Sequence, residues 1–132
     1  MTMTDPISDL FTRVRNAALG SRKHTDIPHS GVKEEVCRLL TREGSLREVQ
    51  VTEVEGRKNL RAYLRVDDDG KSVITRIERV SKPGCRVYKK ADDVERVLRG
   101  MGVGIYSTPK GLLTDGGGRV QKIAGEYVGR IW

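Results

Sequence analysis

The chain has 132 residues, with 25 Lys or Arg against 18 Asp or Glu, so its formal net charge is +7 at pH 7. This length suits one ordinary domain or two small lobes that share a core, and it excludes two independent enzymes. The basic excess predicts an acidic partner. Two cysteines are too few for a disulfide framework, and no apolar run approaches the roughly 18 residues of a membrane span. We therefore expect a soluble protein of a reducing cytosol, with no membrane partner.

The first third of the chain predicts two helices joined by an edge strand. Asp5 and Pro6 are typical of a helix start, and Gly20 ends the pattern. Residues 25–27 precede a proline, which confines them to an edge strand or an extended link. Ser30 can cap a second helix that ends near Gly44. The expected buried residues of the two helices are Ile7, Leu10, Phe11, Val14 and Ala18, then Val32, Val36, Leu39 and Leu40.

The middle of the chain changes from a helical period to an alternating one. Apolar residues recur at every second position over residues 60–66, after a turn around Gly56. This pattern predicts a hairpin with one face on the helices and the other toward water or a ligand. An acidic turn over residues 67–70 then marks the expected boundary between two lobes.

Residues 71–132 predict short strands separated by glycines. We expect strands over residues 73–80, 85–88, 103–106 and 111–114, and a final strand over 126–132. Asp92 or Asp93 can cap a short helix that ends at Gly100. A second short helix after Asp115 is weakened by three glycines at 116–118.

The chain lacks the residues that catalysis needs. Neither His24 nor His29 stands at a metal-ligand spacing with a cysteine or a carboxylate cluster. The carboxylate pair at 34/35 is explained by a salt bridge within a helix, and the pair at 92/93 by capping of a helix. We therefore predict no catalytic residue, no metal site and no cofactor.

The glycine-rich segment over residues 100–111 supports one enzymatic alternative, a nucleotide-dependent enzyme. Its spacing disfavours a P-loop, because Pro109 stands where that motif needs glycine and Gly111 stands where it needs Ser or Thr.

A nucleic acid is the better partner. Arg86 and Tyr88 share one strand face, while Ser107, Thr108 and Lys110 bring two hydroxyls and a cation to a tight loop. Short hydroxyl side chains and backbone amides suit a groove that displays 2′-hydroxyls, which favours RNA over DNA. The alternatives are a partly buried strand aromatic for Tyr88 and a solvated charge run for residues 89–90.

Three segments resemble one known family: DPISDLFTRVRN (residues 5–16), RVSKPGCRVYKK (79–90) and above all GMGVGIYSTPKGLLTD (100–115), followed by a Gly-Glu pair and a closing aromatic. They are similar to bacterial small-subunit ribosomal protein family number eight, along the whole chain. The resemblance implies a non-enzymatic protein of the cytoplasmic ribosome, with neighbouring small-subunit proteins as partners. It implies binding to an irregular stem in the central domain of the small-subunit ribosomal RNA, which helps that domain to fold. It also implies translational repression of its own operon through a similar messenger RNA.

By position, the resemblance assigns RNA contacts to nine residues. They are the loop residues Ser107, Thr108 and Lys110, the turn residues Gly125 and Glu126, the strand residues Arg86 and Tyr88, and the helix residues Arg13 and Arg15. The loop corresponds to one that enters the minor groove of the stem. Pro109 departs from the family by replacing a second serine, which removes a hydroxyl and an amide donor.

We thus expect an α+β protein of two small lobes. Residues 1–70 form an amino-terminal α-β-α-β-β lobe, and residues 71–132 form a mostly β, RNA-binding lobe with one or two short helices. The nearer functional alternative is a free-standing RNA regulator outside the ribosome.

Overall fold

The computed structural model describes residues 5–89, 102–114 and 125–132. The chain divides into two compact units, one formed by Pro6–Thr75 and the other by Met1–Asp5 with Arg76–Trp132. The element order is α-β-α-β-β in the first unit, and the described part of the second unit contains five strands. The elements are α1 (Pro6–Leu19), β1 (His24–Pro28), α2 (Gly31–Arg42), β2 (Leu46–Val54), β3 (Arg57–Leu64), β4 (Ile77–Arg79), β5 (Tyr88–Lys89), β6 (Val103–Thr108), β7 (Gly111–Thr114) and β8 (Gly125–Ile131). This confirms the predicted α+β class.

The first unit packs α1 and α2 against an antiparallel sheet with strand order β1-β3-β2. β1 lies at the edge, as the proline at its end predicts. α1 packs on β1 and β3 and α2 packs on β2, so the apolar stripes of both helices cover one face of the sheet, which is the expected arrangement of a half-buried sheet. Fully buried members of this core include Leu10, Phe11, Val14, Ile27, Val36, Leu40, Leu46, Leu60 and Ala62.

α2 begins as predicted, because the Ser30 side chain accepts a hydrogen bond from the Lys33 backbone N–H at 3.3 Å. The expected burial of Val32 is wrong, since its side chain is 39% exposed. Buried positions 33, 36, 37 and 40 follow the helical period, and Val32 lies just outside this stripe. Lys33 is buried in its place, because its apolar stem packs inside while its ammonium donates to the Pro28 carbonyl at 3.3 Å. In α1 the structure similarly buries Ala17 more completely than Ala18.

The second unit contains an antiparallel sheet with strand order β4-β8-β6-β7, and β5 also pairs with β8. Its core includes Ile77, Ile105, Ile131 and the stacked rings of Tyr106 and Tyr127, whose centroids are 4.6 Å apart. Neither of the two described helices is long and apolar enough to cross a membrane.

Two strands are shorter than the sequence predicts. The strand expected over residues 73–80 contains only β4, because the Val73 backbone N–H bonds to the Arg65 carbonyl at 3.0 Å instead of to β8. The strand expected over 85–88 is displaced to β5, because Lys82 and Cys85 exchange two backbone hydrogen bonds across a turn. The helices expected over residues 92–100 and after Asp115 lie outside the described residues.

Candidate nucleic-acid interface

The hairpin between β6 and β7 is held by one threonine hydroxyl. Thr108 Oγ1 donates to the Gly111 carbonyl at 2.7 Å and accepts from the Lys110 backbone N–H at 3.1 Å. Gly111 has a φ of 101°, a conformation that favours glycine. The side chains of Pro109 and Lys110 are exposed at the tip. The hydroxyl proton of Thr108 is thus used within the loop, so this residue shapes the loop and keeps only acceptor capacity for a ligand.

Three exposed or half-buried side chains form a row across the sheet beside this loop. Tyr88 on β5 is the register partner of Glu126 on β8, and Glu126 is the register partner of Ser107 on β6. Partners in antiparallel strands project from the same face, so these side chains are neighbours. We call Tyr88, Glu126 and Ser107 the contact row. Tyr88 is 69% exposed, which excludes the alternative of a partly buried aromatic.

Gly125 lets β8 approach β6 closely at the base of the loop. A Cβ at this position would lie 2.7 Å from the Ser107 carbonyl oxygen and 2.8 Å from Thr108 Cγ2. Carbon atoms do not approach oxygen and carbon this closely without displacement, so a side chain here would push the two strands apart. Gly125 therefore positions Ser107 and Thr108 through the backbone.

The Glu126 carboxylate is fixed by two donors. Its Oε2 accepts from Ser81 Oγ at 2.5 Å and from an Arg86 guanidinium nitrogen at 2.9 Å. Burial raises the pKa of Glu126, but the hydrogen bonds from Ser81 and Arg86 outweigh it and hold the pKa below the ordinary value of 4.5. The carboxylate is therefore an anion at neutral pH, and part of the Arg86 charge is offset.

Ser81 is a component of this site that sequence reasoning missed. It is fully buried, and its hydroxyl also accepts the Val87 backbone N–H at 3.1 Å. It is 45 residues from Glu126 in sequence. No local pattern links two residues so far apart, so only the strand register reveals the contact.

The structure brings seven of the nine predicted residues to one end of the second sheet: Ser107, Thr108, Lys110, Gly125, Glu126, Arg86 and Tyr88. The other two belong to α1 in the first unit, where both are exposed. The Arg13 guanidinium donates to Asp9 at 3.1 Å and to the Asp26 carbonyl at 3.3 Å. Arg15 lies two residues further along the helix.

This surface offers groups that recognise a polar ligand. It combines an exposed aromatic ring, a hydroxyl, a fixed carboxylate and a loop cation on one side of a rigid sheet. In residues 5–89, 102–114 and 125–132, no group of three or more His, Cys, Asp or Glu side chains could hold a metal ion.

Comparisons with known proteins agree along the whole chain. The family model described as ribosomal protein S8 matches residues 5–132. Proteins named small ribosomal subunit protein uS8 are 45% identical in Exiguobacterium sibiricum and 42% identical in Streptococcus uberis and in Lysinibacillus sphaericus. Each alignment spans 132 residues and covers all of both proteins. The predicted resemblance is confirmed: the chain belongs to the ribosomal protein S8 family and is a non-enzymatic protein of the small ribosomal subunit in the cytoplasm.

Proposed function

We propose that this ribosomal protein binds an irregular stem in the central domain of the small-subunit ribosomal RNA through the contact row and the β6–β7 loop. The single observation that carries the proposal is the register of Tyr88, Glu126 and Ser107 on three adjacent strands, next to the exposed tip at Lys110. A row of this kind can follow one groove of a duplex.

The carboxylate in the middle of the row argues for a groove rather than for the phosphate backbone. An anion repels phosphates, but it accepts hydrogen bonds from 2′-hydroxyls and from the amino group of guanine. Both are displayed in the shallow minor groove of A-form RNA. Because Ser81 and Arg86 fix the Glu126 carboxylate, it is already oriented for such donors. Ser107 adds a hydroxyl that can donate and accept.

The remaining predicted residues supply stacking and charge. The exposed ring of Tyr88 suits stacking on a base or sugar where the stem is irregular and a base is not paired. Lys110 and Arg86 are suited to neighbouring phosphates. We assign Arg13 and Arg15 of the first unit to contacts with the phosphate backbone of the RNA. Such contacts carry no sequence information of their own.

A protein that binds the folded form of an irregular stem stabilises that form and so aids assembly of the domain. A messenger RNA stem of the same shape would bind the same surface, and we propose that the protein represses its own operon in this way. Neighbouring small-subunit proteins complete the expected partners.

Filter binding with two RNAs tests the proposal. Ser107→Ala should weaken binding to the central-domain stem by about fivefold, since a lost hydrogen bond costs on the order of 1 kcal/mol. Its binding to a random RNA duplex should not change. Thr108→Val should weaken the cognate RNA at least as much, because it also removes the two bonds that hold the loop.

Lys110→Ala is the matched control, because a lysine contributes charge and should weaken both RNAs by the same factor. An equal loss on both RNAs for Ser107→Ala would contradict the assignment of the row to shape recognition. For the regulatory part of the proposal, a stem from the operon messenger should compete with the ribosomal stem, and the Ser107→Ala variant should lose affinity for both.

A further inference from the structure

A cavity of about 530 Å³ lies in the first unit, and none of its described lining residues is among those assigned to RNA above. Its lining consists of Lys23, Arg47, Leu64, Arg65 and Val66, which are three cationic and two aliphatic residues. We call it the basic cavity. Its volume is within the range of protein sites that hold small ligands or a few side chains of a partner.

The three cations are not neutralised within the described part of the chain. Other arginines of the same unit form ion pairs, including Arg38 with Glu34 at 2.8 Å and Arg61 with Asp26 at 2.8 Å. By contrast, no ion pair joins Lys23, Arg47 or Arg65 to a described carboxylate. Like charges that line one cavity repel one another, and a bound anion removes that cost.

Backbone hydrogen bonds hold the main chain at two of the cationic residues, and one aromatic ring holds the third side chain. The Leu64 backbone N–H donates to the Lys23 carbonyl at 2.9 Å, and the Val73 N–H donates to the Arg65 carbonyl at 3.0 Å. The Arg47 guanidinium lies 4.9 Å from the centre of the Tyr63 ring, a cation–π contact. The backbone of the lining and the Arg47 cation are therefore preorganised, which lowers the cost of binding a ligand.

The acidic turn at residues 67–70, which follows Val66 in the sequence, does not supply an anion for these cations. One oxygen of Asp67 already accepts the backbone N–H groups of Asp69 at 2.9 Å and Lys71 at 3.0 Å. None of the three aspartates at 67–69 lines the cavity.

The aliphatic side chains decide which anion fits. Leu64 is buried at 3% exposure, whereas Val66 is 49% exposed. Among the described residues, the lining offers no aromatic ring for base stacking and no hydroxyl or amide side chain for reading a base edge. An aliphatic residue flanked by carboxylates fits this surface, because its side chain covers the exposed Val66 while the carboxylates meet the cations.

We propose that the basic cavity binds an acidic protein segment that inserts one aliphatic side chain. The occupant is a neighbouring protein of the small subunit, and the contact is independent of the RNA-binding contact row.

Zero-length carbodiimide coupling in purified small subunits tests the charge half of the proposal on the unaltered protein. The reagent joins a lysine ammonium to a carboxylate that already pairs with it. Lys23 should become linked to an Asp or Glu of another protein, in a peptide that has an aliphatic residue within a few positions. Lys58, an exposed lysine of β3 outside the lining, is the control and should not couple to that peptide. Absence of a Lys23 link, or a link to a segment without an aliphatic residue, would overturn the proposal.

A photoreactive residue tests the aliphatic half. Placed at Val66 it should label the same acidic peptide, whereas at Val54, an exposed valine of β2 outside the cavity, it should not. Labelling of RNA from position 66 would overturn the proposal in favour of a second RNA contact.

Charge reversal completes the test. In the Val66-labelled chain, Arg65→Glu should lower the yield of that peptide by roughly tenfold, because like charges then meet across the contact. Arg57→Glu, at the opposite end of β3, should leave the yield unchanged. Binding of the Arg65→Glu chain to the isolated ribosomal stem should also be unchanged, so a failure here is distinct from a failure of the contact row. An equal drop for both reversals would count against the cavity.

Discussion

Ser81 shows how one buried hydroxyl controls an exposed surface. Its Oγ donates to the Glu126 carboxylate and accepts the Val87 backbone N–H, so it connects the segment before β5 to β8. Loss of this hydroxyl would leave the Val87 N–H without its acceptor and the Glu126 carboxylate with Arg86 as its one remaining donor of the two described here. Residues of this kind are invisible to motif reasoning, since nothing about a serine before a turn indicates burial.

The acid dependence of stability tests the fixed charge of Glu126. The folded protein holds the pKa of this carboxyl below 4.5, its ordinary value, so the ionised form stabilises the fold at neutral pH. That contribution is present above the unfolded pKa and is lost as pH falls through the folded pKa. Between about pH 6 and about pH 3, the free energy of unfolding should therefore fall more in the wild-type protein than in Glu126→Gln. Urea denaturation across this range provides the measurement, and parallel curves would contradict the assignment.

Two glycine-to-alanine changes should have opposite effects. Gly125→Ala places a Cβ 2.7 Å from the Ser107 carbonyl, so it should lower the free energy of unfolding by about 1–3 kcal/mol. Gly31→Ala at the start of α2 has nothing within 4 Å and should be neutral or stabilising by up to about 1 kcal/mol. Thermal denaturation of both variants measures the contrast. If Gly125→Ala is as stable as Gly31→Ala, the close approach of β6 and β8 does not constrain the site.

Among the elements, local chemistry predicted some features well and long-range pairing decided the others. The cap at Ser30, the edge position of β1 and the hairpin turn at Gly56 follow from residue types and spacing, and the structure confirms them. Strand ends could not be predicted, because the backbone partners of Val73 and Cys85 lie within turns and bridges rather than in the sheet. The same limit applies to the candidate site: the loop hydroxyls are recognisable in sequence, whereas the strand register that aligns Tyr88 with Ser107 through Glu126 is not.

The β2–β3 hairpin contains a residue that is poorly suited to its turn. Its two-residue loop consists of Glu55 and Gly56, with φ values of 52° and 75°. Asparagine tolerates this conformation better than glutamate does, so Glu55→Asn should raise the free energy of unfolding by roughly 0.5 kcal/mol. Glu53→Asn within β2 is the control and should be neutral or destabilising, because asparagine is depleted in strands. Equilibrium urea titration of both variants makes the measurement. A stabilised Glu53→Asn variant together with an unchanged Glu55→Asn variant would refute this explanation of the turn.

For the whole molecule, the net charge of +7 does not show which cations are available to a ligand. Several arginines are paired within the protein, including Arg79 with Asp5 at 3.1 Å and Arg86 with Glu126 at 2.9 Å. Several described cations lack such partners and can meet an external anion, and they include Lys110 at the loop and Lys23, Arg47 and Arg65 at the basic cavity. The two proposals therefore rest on where these cations lie rather than on the total charge.

The salt dependence of RNA binding separates charge from shape. Each neutralised phosphate releases counterions, so for at least two phosphate contacts the plot of log affinity against log salt should have a slope above about one in magnitude. Lys110→Ala should lower that magnitude by about one, because it removes one phosphate contact. Ser107→Ala should lower the affinity by the same factor at every salt concentration and leave the slope unchanged, since its hydroxyl displaces no counterion. Filter binding of the three proteins to the ribosomal stem at a series of salt concentrations makes the comparison. A reduced slope for Ser107→Ala would contradict the assignment of Ser107 to shape recognition. An unchanged slope for Lys110→Ala would contradict the assignment of Lys110 to a phosphate.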